Sequence, residues 1–267
     1  MLAQTRRALV IGVGEQKDNS WAKINGDKDV LYVQQMLSSV GYKDVQTVIN
    51  KQATKTGIVS AFNKLIAKCK VGDVVYVQFS GHGQLVTDVN GDEQDGWDEA
   101  WIPYDAYLKY GNKDRGEKHL IDDEINVLLT SIRNKIGDSG KLLVVVDACH
   151  SGDSSRGDDL EETVRGVYNE FIIPVITSKT TQKAPEYWLT LSACKDFQLN
   201  QEIKMPKVGK LTYTLYSLSK EGDVTMEKIV SFMLKYRSRI PQTPIQTGDT
   251  LNQKISDFFS LIKMDKQ

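Results

Sequence analysis

The chain of 267 residues has little of what defines several common protein classes: 3 cysteines, 6 prolines and 3 histidines. Three cysteines (Cys69, Cys149, Cys194) without a CxxC spacing argue against a disulfide-stapled scaffold and against a cysteine-rich zinc module. No apolar run comes near the ~18 residues that a membrane-spanning helix needs. Proline scarcity beside 20 glycines excludes collagen-like and low-complexity classes, and 40% hydrophobic residues suffice for a large core. A charge excess of one sign is also missing. Lys+Arg 34 against Asp+Glu 35 leaves a net charge of -1, so neither a nucleic-acid nor a membrane partner is expected. Residues 1–7 are too short for a signal peptide. The compartment is then cytoplasmic if Met1 is the native start, and periplasmic or secreted if a signal peptide was removed upstream.

What is there is an alternation of short β-branched runs with amphipathic stretches, the sequence form of an α/β fold with a mostly parallel central sheet and helices on both faces. Residues 7–13, 45–49, 74–79, 142–146 and 188–191 read as strands. Those at 74–79 and 142–146 are apolar almost throughout, as in strands buried on both sides. Residues 29–40 read as a helix with Val30, Val33, Met36, Leu37 and Val40 on one stripe, stopped by Gly41. Thr54 is placed to cap a second helix carrying Ile58, Phe62, Leu65 and Ile66, and 225–236 reads as another. Two long polar stretches, 81–120 and 151–186, read as loops. One domain is expected over 1–267, with a first half at 6–150, a loop at 151–186 and a second half at 187–250.

Two residues carry chemistry. His82 follows one buried-type strand inside Ser80-Gly81-His82-Gly83, and Cys149 follows another inside Asp147-Ala148-Cys149-His150-Ser151-Gly152. In a parallel sheet the carboxyl ends of strands face the ligand crevice, so both side chains reach one edge if the strands are neighbours. A thiol beside an imidazole is an activated nucleophile, and flanking glycines expose amides for an oxyanion. His82 is a better base than His150, whose side chain faces away from its neighbour's. His119 reads as a surface residue, and Cys69 and Cys194 as small buried ones.

These motifs resemble the His and Cys motifs of the caspase-like cysteine peptidases, in the metacaspase and orthocaspase branch. Gly91 to Glu99, Pro103-Tyr104-Asp105, Ile121-Asp122-Asp123-Glu124, Leu191 to Asp196 with Gln198 and Glu202, and Gln242-Thr243-Pro244 extend the likeness over nearly the whole chain. The resemblance implies a caspase-like (caspase-hemoglobinase) fold and hydrolysis of peptide bonds through an acyl-enzyme on Cys149. It makes His82 the acid-base and gives the oxyanion to backbone amides at Gly83 and Cys149. It implies a cationic-side-chain (S1) pocket of Asp29, Ser80 and Asp147, with Asp27 as a competitor for Asp29. A carboxylate at 147 calls for a basic partner, hence protein or peptide substrates with Arg or Lys at P1. It also implies a monomer. Two rival readings stay open: a catalytically silent interaction module with the same fold, and a clostripain-like Arg-specific peptidase.

The charge balance is locally uneven. Asp88, Asp92, Glu93, Asp95, Asp98, Glu99 and Asp105 fall between residues 84 and 108, which hold no Lys or Arg. Asp88, Asn90, Asp92 and Glu99 reproduce EF-hand spacing except that Glu93 stands in the glycine position. The resemblance points instead to calcium on Asp98, Asp122 and Asp123. The family's fourth ligand position holds Arg156, with Asp153 or Asp158 as substitutes. No cofactor is required for the chemistry itself. Arg156, Arg165, Lys179 and Lys183 make 151–186 either a surface loop or a segment the enzyme cuts in itself.

Overall fold

Strands that are apolar at nearly every position need cover on both faces, and that need organises the molecule. The computed structural model describes residues 4–149, 164–167, 169–175, 186–195, 198–236 and 241–260. In chain order the first half holds β1 (Arg6–Gly12), α1 (Gly26–Ser39), β2 (Asp44–Ile49), α2 (Lys55–Lys68) and β3 (Val74–Ser80). It continues with β4 (Gly83–Thr87), β5 (Trp97–Trp101), β6 (Leu120–Ile121), α3 (Asp122–Ile136) and β7 (Lys141–Asp147). The second half holds β8 (Leu189–Ser192), β9 (Glu202–Ile203), β10 (Val208–Gly209), α4 (Lys210–Glu221), α5 (Met226–Met233), β11 (Ile245–Gly248) and α6 (Ser256–Phe259).

The main sheet runs in the order β11-β8-β7-β3-β1-β2. All neighbours are parallel except β11, which closes one edge antiparallel to β8. Every position of β3 is buried, and all of β7 except its first residue. Alternation along each strand divides the apolar side chains between two layers. Leu9, Ile11, Phe79 and Val144 face Phe62 and Leu65 of α2 and Leu129 and Ile132 of α3. Ala8, Val10, Tyr76 and Leu143 face Val33 and Leu37 of α1, Leu211 and Leu215 of α4, and Phe258 and Phe259 of α6. No helix among the described residues is long and apolar enough to cross a membrane.

Local signals set the helix ends. Thr54 Oγ1 accepts from the Gly57 amide at 3.0 Å, and Gly41 takes a φ of 88°, the left-handed turn that ends α1. α1 begins one turn before its expected start. The polar stretch 81–120 is not a plain loop, because β4, β5 and β6 form a second, antiparallel sheet within it. Its alternation is hidden because acidic residues occupy strand positions: Asp98 and Ala100 are buried on one face of β5, and Trp97 and Glu99 are half-buried on the other.

Leu143 lies fully buried in the middle of β7. Leu143→Ala is expected to lower the unfolding free energy by about 2–5 kcal/mol, read from urea denaturation. A loss below about 1 kcal/mol counts against this packing.

Candidate active site

β3 and β7 are parallel neighbours with Ser80 opposite Asp147. His82 and Cys149 each lie two residues beyond that pair, so the register delivers both to one edge of the sheet. His82 is fully buried, its ring tilted against that of Trp21 with 5.2 Å between centroids, and Nε2 lies 2.8 Å from the Ala22 carbonyl oxygen. A carbonyl only accepts, so Nε2 carries the proton and Nδ1 keeps its lone pair. That Nδ1 has no hydrogen-bond partner among the described residues. Burial, and secondarily the positive charge of Arg165, lower the His82 pKa to about 4, against the bond to Ala22, which raises it. The Cys149 thiol donates to the Gln198 carbonyl at 2.9 Å, and the Cys194 thiol points at the same oxygen at 3.3 Å. Both cysteines pack with Leu199 and Val164. Cys69 is remote from them, in the layer under α2, and burial pushes its thiol up to about 11.

Gly83 opens β4 opposite Trp101, and the Ile102 amide donates to the His82 carbonyl at 3.1 Å. That bond makes Gly83 and Trp101 a non-hydrogen-bonded pair, which turns the Gly83 amide away from β5.

Beside these residues lies a cluster of charges. Asp29 and Asp147 are both fully buried, and Arg165 is buried between them. Its guanidinium takes Asp29 in a fork, Nη1 to Oδ2 at 2.5 Å and Nη2 to Oδ1 at 3.0 Å. Nη1 lies 3.3 Å from Asp147 Oδ1, and Nε donates to Glu202 Oε1 at 3.0 Å. The carboxylates are held in turn. The Thr212 amide and the Asn200 side chain donate to Asp147 at 2.9 and 2.7 Å, and the Gly209 amide donates to Asp29 at 2.9 Å. A β-carbon on Gly209 would sit 2.3 Å from Asp147 Oδ2, so only glycine lets the backbone cross there. Burial, opposed by Arg165 and reinforced by Asp147, leaves the Asp29 pKa raised. For Arg165 burial works against the charge, but Asp29, Asp147 and Glu202 together outweigh it and raise its pKa.

Ser80 is buried on the strand next to Asp147, and its Oγ accepts from Gln78, which also donates to Thr212. Asp27 stands apart, half-buried and accepting from Asn50 at 3.2 Å. Of the two candidate acids on the first turn of α1, Asp29 is thus the one that meets Asp147. His119 is a correction to the sequence reading. It is fully buried against Phe171, 4.2 Å between rings, with Nε2 3.0 Å from Gln84 Oε1. Burial, then Lys55, lowers its pKa to about 3.

The stretch 151–186 is also more than a surface loop where it is described. Arg165 is one anchor. Phe171 is another, buried, with its amide on Leu85 O at 2.8 Å and its carbonyl taking the Thr87 amide at 3.1 Å. His150, Asp153, Arg156, Asp158, Lys179 and Lys183 lie outside the described residues.

The acidic block converges elsewhere. Oxygens of Asp88, Asp92 and Asp98 lie within 4.8 Å of one another. Burial, then Asp122, Asp88, Asp123 and Asp92, push Asp98 up to about 8. This joins the two sequence-level sets, with one change. Glu99 projects from the opposite face of β5 and lines a cavity of about 260 Å³ of mixed polarity with Trp101, Trp188 and Cys149. The connection between β4 and β5 is a hairpin rather than the helix-flanked loop of an EF-hand.

With this geometry in hand, residues 6–156 match the family model described as Metacaspase, peptidase C14 domain. The chain belongs to the metacaspase family. Metacaspases are cysteine-type peptidases. Metacaspase-1A of Aspergillus oryzae is 31% identical over 156 residues, 55% of this chain and 35% of that protein. Metacaspase-2 of Arabidopsis thaliana is 41% identical over 99 residues, 37% of this chain and 21% of that protein. The match therefore spans about a third or less of these relatives' length. Among solved structures, a Geobacter sulfurreducens protein is 25% identical with a TM-score of 0.69, covering 97% of this chain and 100% of that one. Caspase-1 of Spodoptera frugiperda, 11% identical, gives a TM-score of 0.60 over 92% of this chain and 86% of that one, which establishes the caspase-like fold.

Sequence reasoning missed Ala22, Glu202 and Arg165 as parts of this site. The Ala22 contribution is a backbone carbonyl, which has no sequence signature. Glu202 lies in a motif that by itself assigns it no role, and in sequence Arg165 is one of several cations in a polar stretch.

The two buried histidines give a pH prediction. Their folded pKa values, about 4 for His82 and about 3 for His119, lie below the ordinary value near 6.5. Between those limits the unfolded chain binds more protons, so both make stability fall as pH drops. Asp98, raised to about 8, acts in the opposite sense, so a difference measurement is needed. Going from about pH 6.5 to 4.5, wild type is expected to lose about 2–3 kcal/mol more than His119→Gln in urea denaturation. Equal losses in the two proteins contradict the assignment.

Proposed function

We propose that the chain is a cysteine endopeptidase that cuts after basic residues, with Cys149 as nucleophile and His82 as acid-base. The observation that carries this reading is the guanidinium held by Asp29, Asp147 and Glu202 beside the strand ends bearing the thiol and the imidazole. Three buried carboxylates without a cation are costly, and a forked contact suits a planar guanidinium better than an ammonium. Arg is therefore expected ahead of Lys at P1, and Asp is excluded.

The chemistry follows from the tautomer. With Nε2–H fixed on Ala22, the bare Nδ1 takes the Cys149 proton once Sγ rotates off Gln198. The thiolate adds to the carbonyl carbon after the P1 residue, and the amides of Gly83 and Cys149 take the oxyanion. The imidazolium then protonates the leaving amine. Water, deprotonated by Nδ1, hydrolyses the thioester and returns the proton to sulfur.

Fluorogenic peptides differing only at P1 test this. Cys149→Ala should abolish turnover, His82→Ala should lower kcat by about 10²–10⁴, and Asp147→Asn should lower kcat/KM for Arg more than for an uncharged P1. Equal turnover of Asp and Arg peptides by wild type would sink the specificity.

We also propose that Asp88, Asp92 and Asp98, with Asp122 and Asp123 beside them, hold a calcium ion. An all-carboxylate donor set fits a hard cation, and Asp92 Oδ1 and Asp98 Oδ1 are buried without a hydrogen-bond partner among the described residues. Bound there, the ion would neutralise the repulsion inside the cluster and tie the β4–β5 hairpin to the start of α3. Millimolar calcium should raise the Tm of wild type and leave Asp98→Asn unmoved. A wild-type Tm insensitive to calcium removes the proposal.

A further inference from the structure

Two of the three cysteines meet at the end of the sheet. β7 and β8 are parallel neighbours with Val146 opposite Ser192, and the Ala193 amide donates to the Val146 carbonyl at 3.0 Å. Cys149 lies two residues past the end of β7 and Cys194 two residues past the end of β8, so the chain carries both out of the sheet side by side. Neighbouring strands run about 4.8 Å apart, inside the roughly 4.4–6.8 Å that a disulfide spans between α-carbons. The side chains converge as well. One oxygen, the Gln198 carbonyl, accepts from Cys149 Sγ at 2.9 Å and from Cys194 Sγ at 3.3 Å, one thiol for each lone pair. Both residues also line the cavity of about 260 Å³ between α3 and the β8–β11 edge, so a small reagent that enters it meets the two together.

Packing alone asks less of Cys194. A buried thiol behaves as a small apolar side chain, and apolar neighbours satisfy it. Cys69 is such a case: it lies in the layer under α2, and burial keeps it protonated. Cys194 instead aims its sulfur at the oxygen that holds the Cys149 thiol. A nearby second thiol is what allows a nucleophilic cysteine to be oxidised reversibly, because it captures the sulfenic acid before a further oxygen is added.

We propose that Cys149 and Cys194 form a reversible disulfide when a hydroperoxide oxidises the protein, which switches the nucleophile off and protects it from irreversible oxidation. The switch rests on the peptidase reading above, because it takes Cys149 as the sulfur that becomes a thiolate. In the first step the Cys149 thiolate attacks one peroxide oxygen and the O–O bond breaks. The other oxygen leaves with the proton the thiol gave up, as an alcohol, or as water from hydrogen peroxide, and Cys149 becomes a sulfenic acid. Cys194 sulfur then bonds to Cys149 sulfur as the S–O bond breaks, and the hydroxyl leaves as water with the Cys194 proton. Two thiols have lost two electrons and one peroxide has gained them. A dithiol reverses the link by exchange and is itself oxidised to a disulfide. Closure asks only that both sulfurs turn off Gln198, and while it lasts Cys149 has no thiolate to add to a peptide carbonyl.

The test treats reduced wild type, Cys194→Ala and Cys194→Ser with a few equivalents of hydrogen peroxide. Peptide mapping by mass and turnover of a short Arg-P1 peptide are read before and after dithiothreitol. Wild type should give a linked pair of peptides holding Cys149 and Cys194, lighter by two hydrogens than the separate thiols. Its turnover should fall by about tenfold or more and return to within about twofold of the untreated protein on reduction. Both variants should match reduced wild type before treatment. After it they should carry Cys149 as a sulfinic acid and recover at least about tenfold less turnover than wild type. Sulfinic Cys149 in wild type without a link to Cys194, or a link to Cys69 instead, overturns the switch and leaves the peptidase reading standing. Equal recovery in wild type and the variants, or a link that leaves turnover intact, does the same. No turnover of any peptide by reduced wild type defeats the peptidase reading and the switch with it. If both variants fail to fold, the mapped link and its reversible effect on wild-type turnover decide alone.

Discussion

One buried charge must be balanced at the carboxyl end of the sheet, and much of the surrounding structure is arranged around that need. Asp29 comes from the first turn of α1, Asp147 from the end of β7, and Glu202 from β9. No one of these elements could keep its carboxylate out of water alone. Together they surround a guanidinium, and Thr212, Asn200 and the Gly209 amide satisfy the remaining oxygens. Removing the cation would leave three carboxylates facing one another, whereas removing any one acid would leave the others still paired. The proposed preference for a basic side chain rests on that asymmetry.

The sheet supplies the other constraint. β3 and β7 are buried on both faces, so their register is fixed by packing, and that register brings the residues following Ser80 and Asp147 to the same height. His82 and Cys149 inherit their proximity from it. The imidazole is then oriented by Ala22, in the segment between β1 and α1, which fixes the proton on Nε2 and leaves Nδ1 for the proposed chemistry. Burial keeps that ring neutral, the form a base needs, and the same burial on His119 has only a packing consequence against Phe171. Identical physics thus acts on both histidines, and only position makes His82 the proposed acid-base and leaves His119 packed in the core.

The acidic block shows how charge can be local. A chain with a net charge of -1 holds a pocket that wants a cation and a hairpin whose carboxylates repel strongly enough to raise Asp98. Both are short of positive charge, and both are built by bringing acids from separate elements together.

The sequence alone determined a good deal of this. Its apolar runs specified the parallel strands, its caps ended the helices near their observed limits, and its motifs named His82, Cys149, Asp147 and the family. These are local properties, written in residues close together in the chain. It misread 81–120, because acids at strand positions break the alternation, and it misplaced His119, because burial of a lone histidine leaves no local pattern. Tertiary structure decided Asp29 over Asp27, joined Asp88 and Asp92 to Asp98, and enlisted Ala22 and Glu202. It also lodged Arg165 against the carboxylates of Asp29 and Asp147, which come from separate elements of the chain. Such pairings depend on which elements the fold makes neighbours, and no spacing along the chain encodes them.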